Sequence, residues 1–178
     1  MTLANLSMTL FLLEQYLRSI RHEGVLEKYA YVAYSRFLRS YGRGRYEDAG
    51  IWARRLAEAC CISMLGEKTE YYVLGAMFDA LERYGNLKKD DTPYDVIAAT
   101  GDREVLQVAG LVGIPMDQWP VWDDLWLINK YGNEAAHASA GMLRGGSHAD
   151  DWVFQSFIRI LCVMLSRRKM WFRLPSRL

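Results

Sequence analysis

Lys130, Asn133 and His137 recur at helical spacing in the segment WDDLWLINKYGNEAAH, and their types could do chemistry together. A histidine titrates near neutral pH and can give or take a proton. A lysine supplies a compact positive charge, and an asparagine amide both donates and accepts. At about 100° per residue, Trp122, Leu125, Trp126, Asn129, Gly132, Asn133, Ala136 and His137 fall on one face, with Lys130 close in angle to His137. That face starts with two tryptophans and then turns polar. Polar groups continuing an apolar face need partners, since each buried unsatisfied group costs about 1–3 kcal/mol. The two readings are a cleft lined by Lys130, Asn133, His137 and Asn129, and a satisfied histidine packed between helices. Glu134, four residues after Lys130, is placed to pair with it. Gly132 costs the helix about 1 kcal/mol against alanine, so another backbone, from a neighbouring helix or a second subunit, is expected close to it.

The segment from Tyr46 to Leu65 is the second place of interest. Ala49, Trp52, Ala53, Leu56, Ala59, Cys60 and Met64 form a core stripe. Ile51, Ile62 and Leu65 lie on the other side, among Arg54, Arg55 and Glu58. A helix apolar on two sides is expected to be covered on both, with these charges half-buried. Glu58 can pair with Arg54 or Arg55. The group is either a structural ion pair or a polar island at an interface or cleft.

The elements that would position these residues are helices throughout. The spacing predicts about six: roughly 5–21, 25–41, 46–65, 69–84, 116–139 and 150–171. Short helices are expected between Thr92 and Gly113, around Gly101 and Asp102. Thr92 has the chemistry of an N-cap, with Pro93 at the first helical position and Asp95 in the first turn. The glycines after residues 40 and 65 mark helix ends, and GMLRGGSHADD reads as a loop. No repeat or second domain is visible, so residues 1–178 read as one all-α domain.

Composition narrows the function classes. Hydrophobic residues make up 51% and aromatics 13%, enough for a packed core rather than a disordered chain. The formal charge is +1, so any nucleic-acid surface must be a local patch. Two stretches qualify. RFLRSYGRGRY places Arg36, Arg39, Arg43 and Arg45 beside Tyr41 and Tyr46. The tail, about residues 167–178, carries Arg167, Arg168, Lys169, Arg173 and Arg177 without an acid. Basic and aromatic residues together suit phosphate contact and base stacking. A cationic helix C-terminus also complements the helix dipole without any ligand.

Cys60, Cys61 and Cys162 are three thiols in apolar helical patterns, without a disulfide framework. No signal peptide or membrane-spanning run is read, and the cytoplasm is the expected compartment. No cysteine or histidine pair has zinc spacing. His148 with Asp150 and Asp151 is the nearest approach to a ligand cluster, and one of those acids more simply starts the last helix. Neither a metal nor a cofactor is expected. Gly42-Arg43-Gly44 lacks the strand and lysine of a phosphate-cradling loop.

The stretches ARRLAEACC (Ala53 to Cys61) and INKYGNEAAH (Ile128 to His137) together resemble the HEPN superfamily of small all-α domains, in its branch found alone or with restriction-system proteins. Arg55, Leu56 and Glu58 match an Arg…Leu-Glu motif on one helix, and Gly132, Asn133, Ala135, Ala136 and His137 match Gly-Asn-x-Ala-x-His on a later one. The similarity spans about residues 45–170. It implies a helical bundle, a homodimer that brings two motifs together, and metal-independent cleavage of RNA to 2′,3′-cyclic phosphate ends. His137 would be the acid or base, Lys130 would stabilise the phosphorane charge, and Asn133 would orient the scissile group. Gly132 stands where many active members carry Arg, and Lys130 is the nearest cation. The resemblance therefore implies one of two functions. One is an RNA-directed domain, a ribonuclease of a toxin or defence system. The other is a catalytically silent module that binds a protein of a nuclease or defence complex.

Overall fold

The computed structural model describes residues 3–66, 74–84, 87–137 and 147–171, excluding the side chains of 3–6, 134–137, 147–151 and 170–171. Among these residues all regular structure is helical. The helices are α1 (Leu3–Ile20), α2 (Val25–Gly42), α3 (Tyr46–Leu65), α4 (Leu74–Tyr84), α5 (Pro93–Thr100), α6 (Arg103–Val112), α7 (Val121–His137), α8 (Ser147–Ser166) and α9 (Arg168–Trp171). None is long and apolar enough to cross a membrane.

Local chemistry sets many of the ends. Thr92 and Asp95 close a reciprocal capping box at the start of α5. Gly101 ends α5 in the left-handed region at φ 71°, where a side chain would be strained, and Asp102 then caps α6 through Val105 N–H. The short helices expected between Thr92 and Gly113 are α5 and α6, and the last of the six longer helices breaks at Arg167 into α8 and α9, which makes nine segments among the described residues. Helix α8 also begins at Ser147, inside the expected loop; residues 138–146, which take in the end of the expected 116–139 helix and the start of that loop, and 67–73, which take in the start of the expected 69–84 helix, lie outside the described residues.

α3 is the central element. It packs against α2, α4, α7 and α8, while α8 packs on α2, α5, α6 and α7, and α1 lies on α2 and α6. α3 is covered over one broad face, Ala49, Gly50, Ala53, Leu56, Ala57, Cys60, Cys61 and Leu65. Of the second side expected to be covered only Leu65 is buried, while Ile62 is half-buried and Ile51 is exposed, because α2, α4, α7 and α8 meet α3 within that one arc. Phe37 of α2 stacks on Phe157 of α8 with ring centroids 3.9 Å apart in the middle of this core. All three cysteines are free and buried. Burial pushes the Cys60 and Cys162 thiols up to about 12 and Cys61 well above the usual range, so none is a thiolate at neutral pH.

Candidate functional site

The site is built at the crossing of α3 and α7. Gly132 is buried there, and a Cβ on it would lie 2.7 Å from Arg54 Cβ and 3.2 Å from the Gly50 carbonyl oxygen. The backbone approach expected at Gly132 therefore comes from α3 of the same chain. Arg54 runs along α7 and its Nη1 donates to Asn133 Oδ1 at 2.9 Å. Its Nε donates to Glu58 Oε1 at 3.3 Å, one turn along α3. Nearby, the Tyr131 hydroxyl donates to the Tyr46 carbonyl at 3.1 Å, tying α7 to the first turn of α3.

Arg54 and Glu58 are the half-buried ion pair expected, with side chains 29% and 31% exposed. Arg55 is exposed and lies over the Trp52 ring, 5.0 Å from its centroid, instead of pairing with Glu58. Across the α2–α3 contact, burial pushes the Tyr29 hydroxyl up to about 12, against the pull of the Arg55 charge.

α7 is turned differently from the expectation. Its buried side carries Val121, Asp124, Leu125, Ile128, Tyr131 and Gly132. Trp126, expected on the apolar stripe, is 55% exposed and rests its ring on Phe78 at 4.8 Å. Asn129 is half-buried and Lys130 is exposed. α7 packs on both α3 and α8, and covering it from both demands a face centred near Ile128, which turns the polar run outward. An open, shallow depression results, lined by Asp123, Trp126, Leu127, Asn129, Lys130 and Asn133. His137 is the last residue of α7, one turn beyond Asn133, and its side chain lies outside the described residues, as does that of Glu134.

The structure thus joins Arg54, Glu58 and Asn133, places Lys130 and Asn129 along the same depression, and leaves Arg55 on a neighbouring surface. The basic tail is corrected in part. Arg168 is only 4% exposed and its guanidinium bonds Glu104 and the Tyr16 hydroxyl, so it holds α9 to α6 and α1 and is not free to meet nucleic acid. Arg167 is half-buried, its Nε donating to the Ser63 carbonyl at 3.0 Å. Lys169 is exposed. Arg173 and Arg177 lie outside the described residues.

The sequence reading missed one cluster entirely. Arg159, 1% exposed, forms a bidentate pair with Asp124, at 2.8 Å to Oδ2 and 2.7 Å to Oδ1, and Ser156 donates to the same carboxylate at 2.7 Å. Burial pushes the Asp124 carboxyl up, while Arg159 and Ser156 pull it back. Asp124 stands in the first turn of α7, where the helix dipole favours an acid. The signal that could have found the pair is Arg159 itself, alone in the apolar run FIRILCVML. Among the described residues no three His, Cys, Asp or Glu side chains gather as metal ligands. His148, Asp150 and Asp151 fall in the first turns of α8, with the side chains of His148, Asp150 and Asp151 outside the described residues.

The crossing makes a testable demand. Gly132→Ala should gain about 1 kcal/mol of helix propensity and lose about 1–3 kcal/mol to the clash with Arg54 Cβ, which has no flexible end to move. Net destabilisation in a denaturant titration is the expected result. A variant more stable than its parent would contradict the close crossing.

In comparisons with protein-family models, with curated proteins and with solved structures, nothing matches this chain.

Proposed function

We propose that this chain is a HEPN-like domain directed at RNA, a metal-independent endoribonuclease of a toxin or defence system. One observation supports the reading most. Arg54 and Asn133, from the two helices that carry the resemblance, meet at 2.9 Å beside the exposed Lys130, with His137 one turn further along α7.

In this reading the ribose 2′-oxygen attacks the adjacent phosphorus and the bond to the 5′-oxygen breaks. The products are a 2′,3′-cyclic phosphate and a 5′-hydroxyl. His137 moves one of the two protons, from the 2′-hydroxyl or to the departing 5′-oxygen. A second copy of the chain supplies the other acid–base group, as the resemblance implies. Lys130 offsets charge on the phosphorane as a point cation. Arg54 holds the Asn133 carbonyl oxygen, so the asparagine presents its amide N–H groups to the phosphate. Arg54 is therefore a positioning residue.

The second reading, a silent protein-binding module, draws on Trp126. An indole 55% exposed, beside Leu127 in an open depression, suits a protein contact as well as a base. Total RNA incubated with the purified protein in chelator separates the two. The ribonuclease reading expects fragments ending in 2′,3′-cyclic phosphate, lost in His137→Ala. Intact RNA at micromolar protein would leave the binding module.

A further inference from the structure

The function just proposed makes no use of α2, whose outward face is unusual. Lys28, Arg36 and Arg39 are all exposed and fall within a sector of about 80° on a helical wheel. They span roughly 17 Å of helix axis, and Arg43, exposed too, caps the C-terminal end of α2. Arg45 follows in the turn, also exposed. None of the five is in an ion pair with a described residue. The only acid of α2, Glu27, points the other way and is 2% exposed. The nearest exposed carboxylates along the chain are Glu47 and Asp48, in the first turn of α3, where the helix dipole favours them. In a chain of net charge +1, this stripe concentrates nearly a quarter of the cations, 5 of 22, on one edge.

α2 packs on α3, the helix that makes the crossing with α7. Tyr29, on the same side of α2, sits in the electrostatic field of Arg55 and Glu58 on α3. Glu58 is bonded to Arg54, and Arg54 to Asn133. At the other end, Tyr46 follows Arg45 and accepts the Tyr131 hydroxyl through its carbonyl. A strand laid along α2 would run beside α3, whose Arg54 bonds Asn133 of the depression.

We infer that the outward face of α2, through Arg36, Arg39 and Arg43 with Lys28 and Arg45, is the docking track for the phosphate backbone of single-stranded RNA. Charge complementarity argues for a polyanion. The arginines argue for phosphate, which a guanidinium fork grips with two hydrogen bonds. Tyr29, half-buried at the rim, adds a ring face for a base. Choosing RNA among polyanions rests on the function proposed above. The track itself rests on the charges of α2.

Fluorescence anisotropy with a labelled 20-nucleotide oligouridine, read in the His137→Ala background so that nothing is cut, tests the track across a salt series. Arg36→Gln/Arg39→Gln/Arg43→Gln should weaken binding at least tenfold near 100 mM salt. It should also flatten the log–log salt slope by about 2, at ~0.7 for each phosphate of a single strand that the protein no longer neutralises. The Lys triple variant at the same positions keeps the charge and should keep most of the slope. Circular dichroism on each variant verifies the fold, which exposed, unpaired arginines leave intact. An unchanged slope in the Gln variant, or no oligouridine binding by its parent, overturns the track. Binding of polyglutamate or anionic phosphatidylserine vesicles as tight as that of RNA overturns RNA as its occupant. Binding that depends on the stripe, in a protein that never cleaves RNA, keeps the track and sinks the ribonuclease alone.

Discussion

Asp124→Ala is expected to be the most destabilising single change in this protein, by about 3–5 kcal/mol. Among the described residues it leaves the Arg159 guanidinium, 1% exposed, with no counter-charge and with Ser156 and Gln155 as its polar partners. For a chain of this size the loss corresponds to roughly 10 °C in Tm. The pair joins α7 to α8 about two turns before Lys130 and Asn133 on the same helix, so loosening α7 there should disturb whatever that face does. Replacing both partners with apolar residues of similar volume, Asp124→Leu with Arg159→Met, should recover most of the loss, because no charge then remains to be desolvated. Thermal melts of the two proteins decide it. A fall below about 1 kcal/mol in the single variant would mean that water reaches Arg159 and that the two helices are held by apolar contact alone.

If the chain is the ribonuclease proposed, His137→Ala should reduce RNA cleavage by about 100- to 10,000-fold, the range a missing acid–base group costs, with Tm nearly unchanged. Lys130→Ala should follow the same pattern, since Lys130 is exposed and its removal uncovers no buried partner. If the depression serves a protein partner, both variants should weaken that association instead, again without loss of stability. A large drop in Tm with normal specific activity would make His137 a packing residue, because a buried, bonded ring leaves its partner unpaired when removed. Melting curves and the cleavage assay on the same samples keep the two outcomes apart.

The two sets of residues behave differently for one reason. Asp124 and Arg159 face α8 from the covered side of α7, whereas Lys130 faces solvent on the other side. The first pair stabilises the arrangement of helices. Lys130 is placed by that arrangement and, being exposed, contributes little to holding it.

The sequence by itself determined the elements whose causes are local. Helix periodicity, the Thr92 N-cap with Pro93 and Asp95 in the first turn, and the break near Gly101 each depend on a few neighbouring residues, whereas Glu58 could pair with Arg54 or Arg55 by spacing alone and the fold selects Arg54. Gly132 announced a close crossing because a glycine inside a helix needs a packing reason, and Arg54 of α3 supplies it. What only the tertiary structure decided was which side of each helix is covered, and by what. The wheel of α7 shows an apolar stripe led by Trp122 and Trp126, yet packing against both α3 and α8 turns Trp126 out and Asp124 in. An aspartate inside is stable because Arg159 meets it from 35 residues away, and no local pattern encodes that meeting. Arg54 finds Asn133 across 79 residues in the same way. Arg168 lies in a basic tail that looks solvated, until Tyr16 and Glu104 enclose it from α1 and α6. Side-chain charge and helical period are properties of a segment. Burial and pairing are properties of the partners that folding brings to it, and they divide the cations of this chain into those that hold the bundle together and those left facing solvent.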